Sequence, residues 1–413
     1  MMSKWQKYPA YKDSGIEWIG RIPKEWEVLP TKRFHKITKE INSRKICNNV
    51  LSLTLRGVVN NNINSPEGLV PKDYATYQIF EKDNLVFKLI DLENISTSRV
   101  GIVHEKGIMS SAYIRLEVGN NSFPRYAYYY FYNLYLNQVY NNLGSGVRST
   151  LTPTDLLNIF FIKPPKQEQI KIASYLDKKT SQIDKAINQK EKLIKLLKEY
   201  RQIIINEAVT KGVDENGKVR VDNGDFKDSG IEWIGKIPRN WNVKKLKFVL
   251  TINNGQDYKK VISDEGYPVI GSGGQFAYAN QYLYDGEVLL LGRKGTVDKP
   301  LYFKGKFWTV DTMFYGVSKQ NNNTKFLYYS SLSIPFKFYS TSTALPSMTQ
   351  FDLNNHKIAI PPKQEQEKIV KYIENQTTKI DKALHLQQNY IEKLKEYKAT
   401  LIDSVVTGKV RIV

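Results

Sequence analysis

The chain has 413 residues, enough for two or three folded cores, and a formal net charge of +20 from 61 basic and 41 acidic residues. This basic excess makes a polyanion such as nucleic acid the first partner to consider, although ribosomal, membrane-surface and heparin-type binders share it. A single cysteine, Cys47, excludes a disulfide framework and a cysteine-cluster metal site, and the lack of a long apolar segment predicts a cytoplasmic protein.

Two segments of the chain occur twice. YKDSGIEWIGRIP at residues 11–23 returns as FKDSGIEWIGKIP at residues 226–238, and PPKQEQ at residues 164–169 returns at residues 361–366. The chain is therefore a tandem duplication. The predicted parts are a first domain at residues 1–163, a long helix at 164–212, a second domain at 213–360, and a second long helix with a C-terminal tail at 361–413.

Within each domain the pattern predicts an irregular sheet with helices. Short β-branched and aromatic runs at residues 84–92, 99–105 and 111–118 indicate strands, and residues 125–142 indicate an aromatic helix. The second domain has similar runs between Gly266 and Val317, and its aromatic helix at residues 325–340 is interrupted by Pro335. The predicted fold class is therefore α+β.

After each double proline, the composition changes to a helical mixture of Lys, Glu, Leu, Ile and Gln, at about residues 166–211 and 363–407. Gly212 and Gly408 stand where helix C-terminal caps are expected. The two apolar stripes match position by position, which predicts that the helices pair as an intramolecular antiparallel coiled coil. Such a pairing would relate the two domains by an approximate two-fold axis. The predicted packing residues are Leu176, Ile183, Ile187, Ile194, Leu197, Ile204, Ile373, Ile380, Leu384, Ile391, Leu394 and Leu401.

Glycine-rich turns that carry arginine or amide side chains are the candidates for nucleic-acid contact. GSGGQ (residues 271–275), GRKGT (292–296) and GSGVRST (144–150) combine small residues with side chains suited to base edges or phosphates. Such turns are also common without any ligand. The candidate residues are Arg56, Lys88, Arg99, Arg148 and Ser149 in the first domain, and Ser272, Gln275, Arg293, Lys294 and Thr296 in the second.

The sequence matches none of the catalytic motifs considered. GIEWIGKI at residues 230–237 resembles a phosphate-binding loop, but Ile237 stands where the Mg²⁺-binding hydroxyl is needed. The double-proline segments carry Lys166 and Lys363 where a base-methylating loop has an aromatic residue, and the four histidines form no metal-binding pair. We therefore expect no catalytic residue, no metal and no cofactor in this chain.

The order of domain, PPxxEQ-led helix, domain and helix resembles the DNA-specificity subunit of type I restriction-modification systems. The SGIEWIGxIPxxW openings also resemble this family; they carry Trp18 and Trp26 in one copy and Trp233 and Trp241 in the other. The resemblance covers essentially the whole chain. The helix leaders IKPPKQEQ and IAIPPKQEQ depart slightly from it, because the family often has Leu before the prolines.

The resemblance implies a non-catalytic, sequence-specific DNA-binding subunit. Each domain would read one half of a split, asymmetric site in double-stranded DNA, and the helices would set the spacer. It also implies two methyltransferase subunits and two restriction/translocase subunits as partners, with S-adenosylmethionine, ATP and Mg²⁺ bound on those partners. A fused restriction-methyltransferase and a non-specific basic coiled-coil scaffold are the alternatives.

Overall fold

The computed structural model of the chain describes residues 6–62, 73–93, 97–144, 149–319, 321–339 and 346–412. The described elements follow the predicted order of a mixed segment, a long helix, a second mixed segment and a second long helix. The predicted α+β class is confirmed. No helix in the described ranges combines the length and the apolar character needed to cross a membrane.

The first half of the chain contains small strands and one long helix. Its strands are β1 (Tyr11–Asp13), β2 (Arg21–Pro23), β3 (Glu27–Pro30), β4 (His35–Thr38), β5 (Leu51–Thr54), β6 (Gly57–Asn60), β7 (Gln78–Phe80), β8 (Leu85–Phe87), β9 (Val100–Ile102), β10 (Gly107–Met109), β11 (Ile114–Val118) and β12 (Phe160–Lys163). Its helices are α1 (Pro124–Leu136), α2 (Val139–Leu143), α3 (Pro153–Asn158) and α4 (Lys166–Lys211).

The second half repeats this order with longer strands. Its strands are β13 (Phe226–Asp228), β14 (Lys236–Pro238), β15 (Asn242–Lys245), β16 (Leu250–Asn254), β17 (Ile262–Ser263), β18 (Tyr267–Gly271), β19 (Gly274–Ala279), β20 (Tyr284–Gly292), β21 (Leu301–Thr309), β22 (Met313–Ser318) and β23 (Lys357–Ile360). Its helices are α5 (Thr324–Ser331), α6 (Phe336–Tyr339), α7 (Gln350–Asn355) and α8 (Lys363–Val406).

The chain forms two compact units. Unit 1 runs to Gln189 and resumes at Asn389, and unit 2 is Lys190–Gln388. Both divisions fall inside the long helices, so each unit contains the beginning of one long helix and the end of the other. The domain boundaries predicted at residues 163, 212 and 360 stay a prediction.

In each unit the two long helices run antiparallel and are joined by an equivalent ion pair. Lys398 Nζ lies 2.7 Å from Asp184 Oδ1 in unit 1, and Arg201 Nε lies 3.5 Å from Asp381 Oδ1 in unit 2. The PPKQEQ repeat aligns Asp184 with Asp381 and Arg201 with Lys398. The predicted antiparallel pairing is thus confirmed.

The predicted packing stripe lies along this helix pair. Leu176, Ile183, Ile187, Ile204, Ile373, Ile380, Ile391 and Leu401 are buried, and Ile194, Leu197, Leu384 and Leu394 are half-buried.

The duplicated opening segment packs against the long helices in both units. In unit 1 the indole of Trp26 is buried and donates to Glu168 Oε2, at the start of α4, over 3.0 Å. A Cβ at Gly408, just past the end of α8, would lie 3.0 Å from the same indole, and Gly408 also has a positive φ of 74°. Gly212 and Trp241 repeat this contact in unit 2. In unit 1 the opening tryptophan therefore joins the start of α4 to the end of α8. In unit 2 Trp241 contacts the end of α4, but its buried Nε1 has no hydrogen-bond partner in the described part of the chain, and Glu365, aligned with Glu168, pairs with Arg220 instead.

The last glutamine of PPKQEQ fixes the aromatic helix of each domain. Gln169 is buried; its Oε1 accepts from Phe123 N at 2.8 Å, and its Nε2 donates to Pro164 O at 2.8 Å. Gln366 makes the same pair of bonds in unit 2, to Asn323 N at 2.8 Å and Pro361 O at 3.0 Å. Both repeats therefore belong to the frame that positions the remaining, diverged segments.

The sheets of the two units differ. Unit 1 has a four-stranded sheet in the order β4-β11-β8-β9 and several two-stranded pairs, whereas unit 2 has a seven-stranded sheet in the order β16-β22-β20-β21-β18-β19-β17. The predicted helix at residues 125–142 is broken between α1 and α2, because Gln138 adopts a left-handed φ of 56°.

Candidate nucleic-acid interface

Several loops meet at one end of the seven-stranded sheet in unit 2. Gly255, after β16, donates to Met313 O at 3.0 Å, and Arg293, after β20, donates to Thr312 O at 2.8 Å. Gly271, where β18 turns into β19, has the side chain of Val310 3.9 Å from the position of its missing Cβ. We call these loops loop cluster 2; it comprises residues 254–257, 271–275, 293–296, 310–312 and 346–348.

Arg293 and Lys294 are exposed in loop cluster 2. The guanidinium of Arg293 donates to Asp311 O at 3.3 Å, and its Cζ lies 5.8 Å from the centre of the Phe314 ring. The backbone carbonyl of Arg293 also accepts from Met348 N at 3.0 Å. Backbone and side chain are therefore both supported, and the remaining guanidinium donors can face a ligand.

The other predicted residues of the second domain belong to the same cluster. Ser272 is half-buried in the β18–β19 turn, Gln275 is exposed at the start of β19, and Thr296 is half-buried. Of the predicted segment 340–347, residues 340–345 lie outside the described part. Pro346 accepts from Gly295 N at 2.9 Å, which attaches the end of that segment to the GRKGT turn.

In unit 1 three of the predicted residues lie close together. Lys88 donates through its backbone to Arg99 O at 3.0 Å and through Nζ to Thr97 Oγ1 at 3.1 Å, while Ser149 O accepts from Leu92 N at 3.1 Å. Arg99 is only 1% exposed and donates to Asp91 O at 2.9 Å. This burial indicates that Arg99 supports the loop and argues against a direct contact with DNA.

The remaining two candidates of the first domain lie elsewhere. Arg56 is exposed at the turn between β5 and β6, a hairpin that packs on β9 beside Gly101. Arg148 lies outside the described residues. Direct contact between DNA and any of these ten candidate residues stays a prediction.

Sequence reasoning missed the loop that follows β16. Asn254, Gln256, Lys259 and Lys260 are exposed there, with Asp257 between them. The signal was present, because a glycine flanked by amides in NNGQD has the same character as GSGGQ. Over residues 254–260 this loop carries Lys259 and Lys260 against Asp257, and Arg293 and Lys294 add two positive charges against Asp311. These loops together are therefore net positive, as a surface facing phosphates requires.

The long helices also carry an exposed apolar face that occurs in both units. On unit 2 it includes Leu193 and Tyr200, which are 41% and 56% exposed; on unit 1 the aligned residues Tyr390 and Tyr397 are 47% and 43% exposed. Burial together with the neighbouring Tyr200 raises the pKa of Tyr372, and burial together with Tyr397 raises that of the aligned Tyr175. The two units therefore present equivalent tyrosine-rich surfaces.

Comparison with known proteins identifies relatives along nearly the whole chain. The chain is 24% identical to the putative type I restriction enzyme MjaX specificity subunit of Methanocaldococcus jannaschii, covering 95% of this chain and 96% of that protein. It is 26% identical to the MjaVIII specificity subunit of the same organism, covering 95% and 94%. A solved chain from a study of the assembly and conformational transition of a type I restriction-modification system has the same fold, with a TM-score of 0.70 at 13% identity, covering 93% of this chain and 98% of that one.

The protein-family model described as the type I restriction modification DNA specificity domain matches the chain twice, at residues 23–196 and 238–395. Each match includes one mixed segment and a large part of one long helix, in agreement with the duplication seen in the structure. Because the two matches cover well over half of the sequence, the chain belongs to the family of type I restriction-modification DNA specificity subunits.

Proposed function

We propose that this non-catalytic specificity subunit reads a split, asymmetric site in double-stranded DNA, one half-site through the loops of each unit. One observation carries this proposal: the two units repeat the frame contacts of Gln169 and Gln366 and the ion pair between the long helices, but differ in their sheets and loops. A repeated frame with different reading surfaces suits two different half-sequences at a constant spacing.

The test is the sequence that the complex methylates. The chain is co-expressed with a methyltransferase subunit in a host without other adenine methylation, and methylated adenines are mapped across the genome. The expected motif has two unequal specified halves and an unspecified gap. An uninterrupted or palindromic motif would contradict the proposal, and methylation without any motif would favour a non-specific scaffold.

We further propose that the repeated tyrosine-rich surfaces each hold one methyltransferase subunit. Exposed tyrosines are typical of protein interfaces, and two equivalent surfaces suit two copies of one partner. In the full assembly two restriction/translocase subunits would join, and S-adenosylmethionine, ATP and Mg²⁺ would bind on these partners.

The partner surfaces are tested with Tyr200→Lys and Tyr397→Lys. Each single variant should bind one methyltransferase where the original chain binds two, and the double variant should bind at least tenfold more weakly, measured by mass photometry and titration. Lys198→Ala and Lys395→Ala, exposed on the same helices away from this face, are the controls. Unchanged stoichiometry in the double tyrosine variant would place the partner elsewhere.

A further inference from the structure

Gln256 stands out among the residues of loop cluster 2 because its backbone is held on both sides. Its N–H donates to Thr309 O at 2.9 Å, and its carbonyl accepts from the indole Nε1 of Trp308 at 3.0 Å. Trp308 and Thr309 are themselves anchored in the sheet, because they pair with Val269 and Ile270 of β18. The backbone of Gln256 is therefore held in a fixed position at the end of the sheet.

The preceding residue removes the remaining freedom of the loop. A Cβ at Gly255 would lie 2.0 Å from Val310 O and 2.8 Å from Thr309 O, so only glycine allows this close approach of the two backbones. Gly255 also donates to Met313 O at 3.0 Å. The direction in which the Gln256 side chain leaves the backbone is thus set by the sheet.

The carboxamide of Gln256 is exposed and makes no hydrogen bond within the described part of the chain. Nearby amides are used internally: Gln350 Nε2 donates to Ile252 O at 2.6 Å, and Asn253 Nδ2 donates to Thr251 O at 3.4 Å. A fixed backbone with an unused amide beside an exposed Arg293 is the arrangement expected of a side chain that recognises a ligand.

We propose that Gln256 reads one base edge in the half-site bound by unit 2, and that the base is adenine. The carboxamide offers a donor and an acceptor side by side, which match the N7 acceptor and the N6 amino donor of adenine in the major groove. Lys294, adjacent to Arg293, supplies positive charge for a flanking phosphate. This inference rests on the proposed split-site recognition and adds the residue and the base.

Two substitutions test the assignment, each co-expressed with the methyltransferase and followed by mapping of methylated adenines. Gln256→Ala should relax one position of one half-site, with discrimination there falling at least tenfold, while every position of the other half stays specified. Gln256→Glu replaces the carboxamide by a carboxylate of the same shape. It should move the preference at that same position toward cytosine, whose N4 amino group donates to a carboxylate.

The matched control is Gln281→Ala, because Gln281 is also an exposed glutamine but follows the opposite end of β19. Its motif should be that of the original chain. A split motif that Gln256→Ala and Gln256→Glu both leave unchanged would overturn the inference but keep the proposed function. Equal weakening at all positions would assign Gln256 to a phosphate and would also overturn it. Failure of the original chain to give a split motif would instead reject the proposed function.

Discussion

At the level of single residues, burial decides what each arginine does. Arg115 is 6% exposed and donates to Ile79 O at 2.7 Å and Glu117 Oε1 at 2.7 Å, so its guanidinium is engaged inside unit 1. Arg99 is likewise buried. Arg293 is exposed and keeps guanidinium donors free of the backbone contact to Asp311. Of these three, Arg293 is the one that suits base or phosphate contact.

Arg293→Ala should therefore relax or abolish recognition of one half-site only. The loss of a base contact is worth about 1–3 kcal/mol, so discrimination at the affected position should fall at least several-fold. Adenine-methylation mapping gives the outcome. A change in both half-sites would contradict the assignment of one half-site to each unit.

The frame glutamines should contribute strongly to stability. Gln366→Ala leaves Asn323 N and Pro361 O without their buried partner, which should lower the free energy of unfolding by about 2–4 kcal/mol. Gln364→Ala, two residues earlier and exposed, is the control and should change it by less than about 0.5 kcal/mol. Thermal unfolding followed by circular dichroism measures both. Similar melting temperatures for the two variants would refute the frame role.

Two buried histidines should make stability depend on pH. Burial lowers the pKa of His35, beside Phe161, to about 4, and burial lowers that of His356, stacked on Trp233, to about 4. Between pH 6.5 and 4 the unfolded chain binds protons that the folded chain does not. The stabilisation is therefore complete above pH 6.5 and falls toward pH 4, by roughly 3 kcal/mol per histidine.

Urea unfolding at pH 7, 5.5 and 4.5 measures this dependence. The double variant His35→Gln, His356→Gln should be less stable at pH 7 but lose less stability on acidification. If its pH dependence equalled that of the original chain, other groups would have to be responsible.

At the level of elements, the long helices are continuous through the division between the units. As residue numbers increase along α4, those of the contacting residues on α8 decrease. The pairs are Asp184 with Lys398, Lys190 with Gln387 and Arg201 with Asp381. This register aligns the middle of α4 with the middle of α8. Length can therefore be added there without disturbing either mixed segment.

Duplicating one heptad in each helix, residues 183–189 and residues 382–388, keeps the apolar stripe and adds seven residues at matching points. Each helix becomes about 10 Å longer, which corresponds to about three base pairs of B-form DNA. The methylation motif should keep both half-sequences and gain a longer gap. An unchanged gap would contradict the role of the helices as the spacer.

At the level of the whole molecule, the net charge of +20 predicts strongly salt-dependent DNA binding. With six to ten phosphate contacts, affinity for duplex should fall by about 10³–10⁵ between 50 and 200 mM salt. Titrations of the complex with specific and scrambled duplexes measure this. The methylated motif itself should not change with salt, because base contacts specify it; a salt-dependent motif would contradict this separation.

The amino-acid sequence by itself determined the duplicated frame and the family. The openings, the PPKQEQ leaders and the heptad stripes are local or periodic patterns, so α4 and α8 are found within one residue of their predicted ends. The break at Gln138 was not predicted, because a left-handed residue other than glycine has no clear local signal.

Only the tertiary structure decided which polar residues of the diverged segments are available. Arg99 and Arg293 both lie beside β-rich segments in the sequence, yet one is buried and the other exposed. Gln256 and Arg293 are brought to the same end of one sheet by the strand order β16-β22-β20, which joins segments distant in the chain. Strand pairing depends on contacts across the whole sheet, so local patterns do not contain this information.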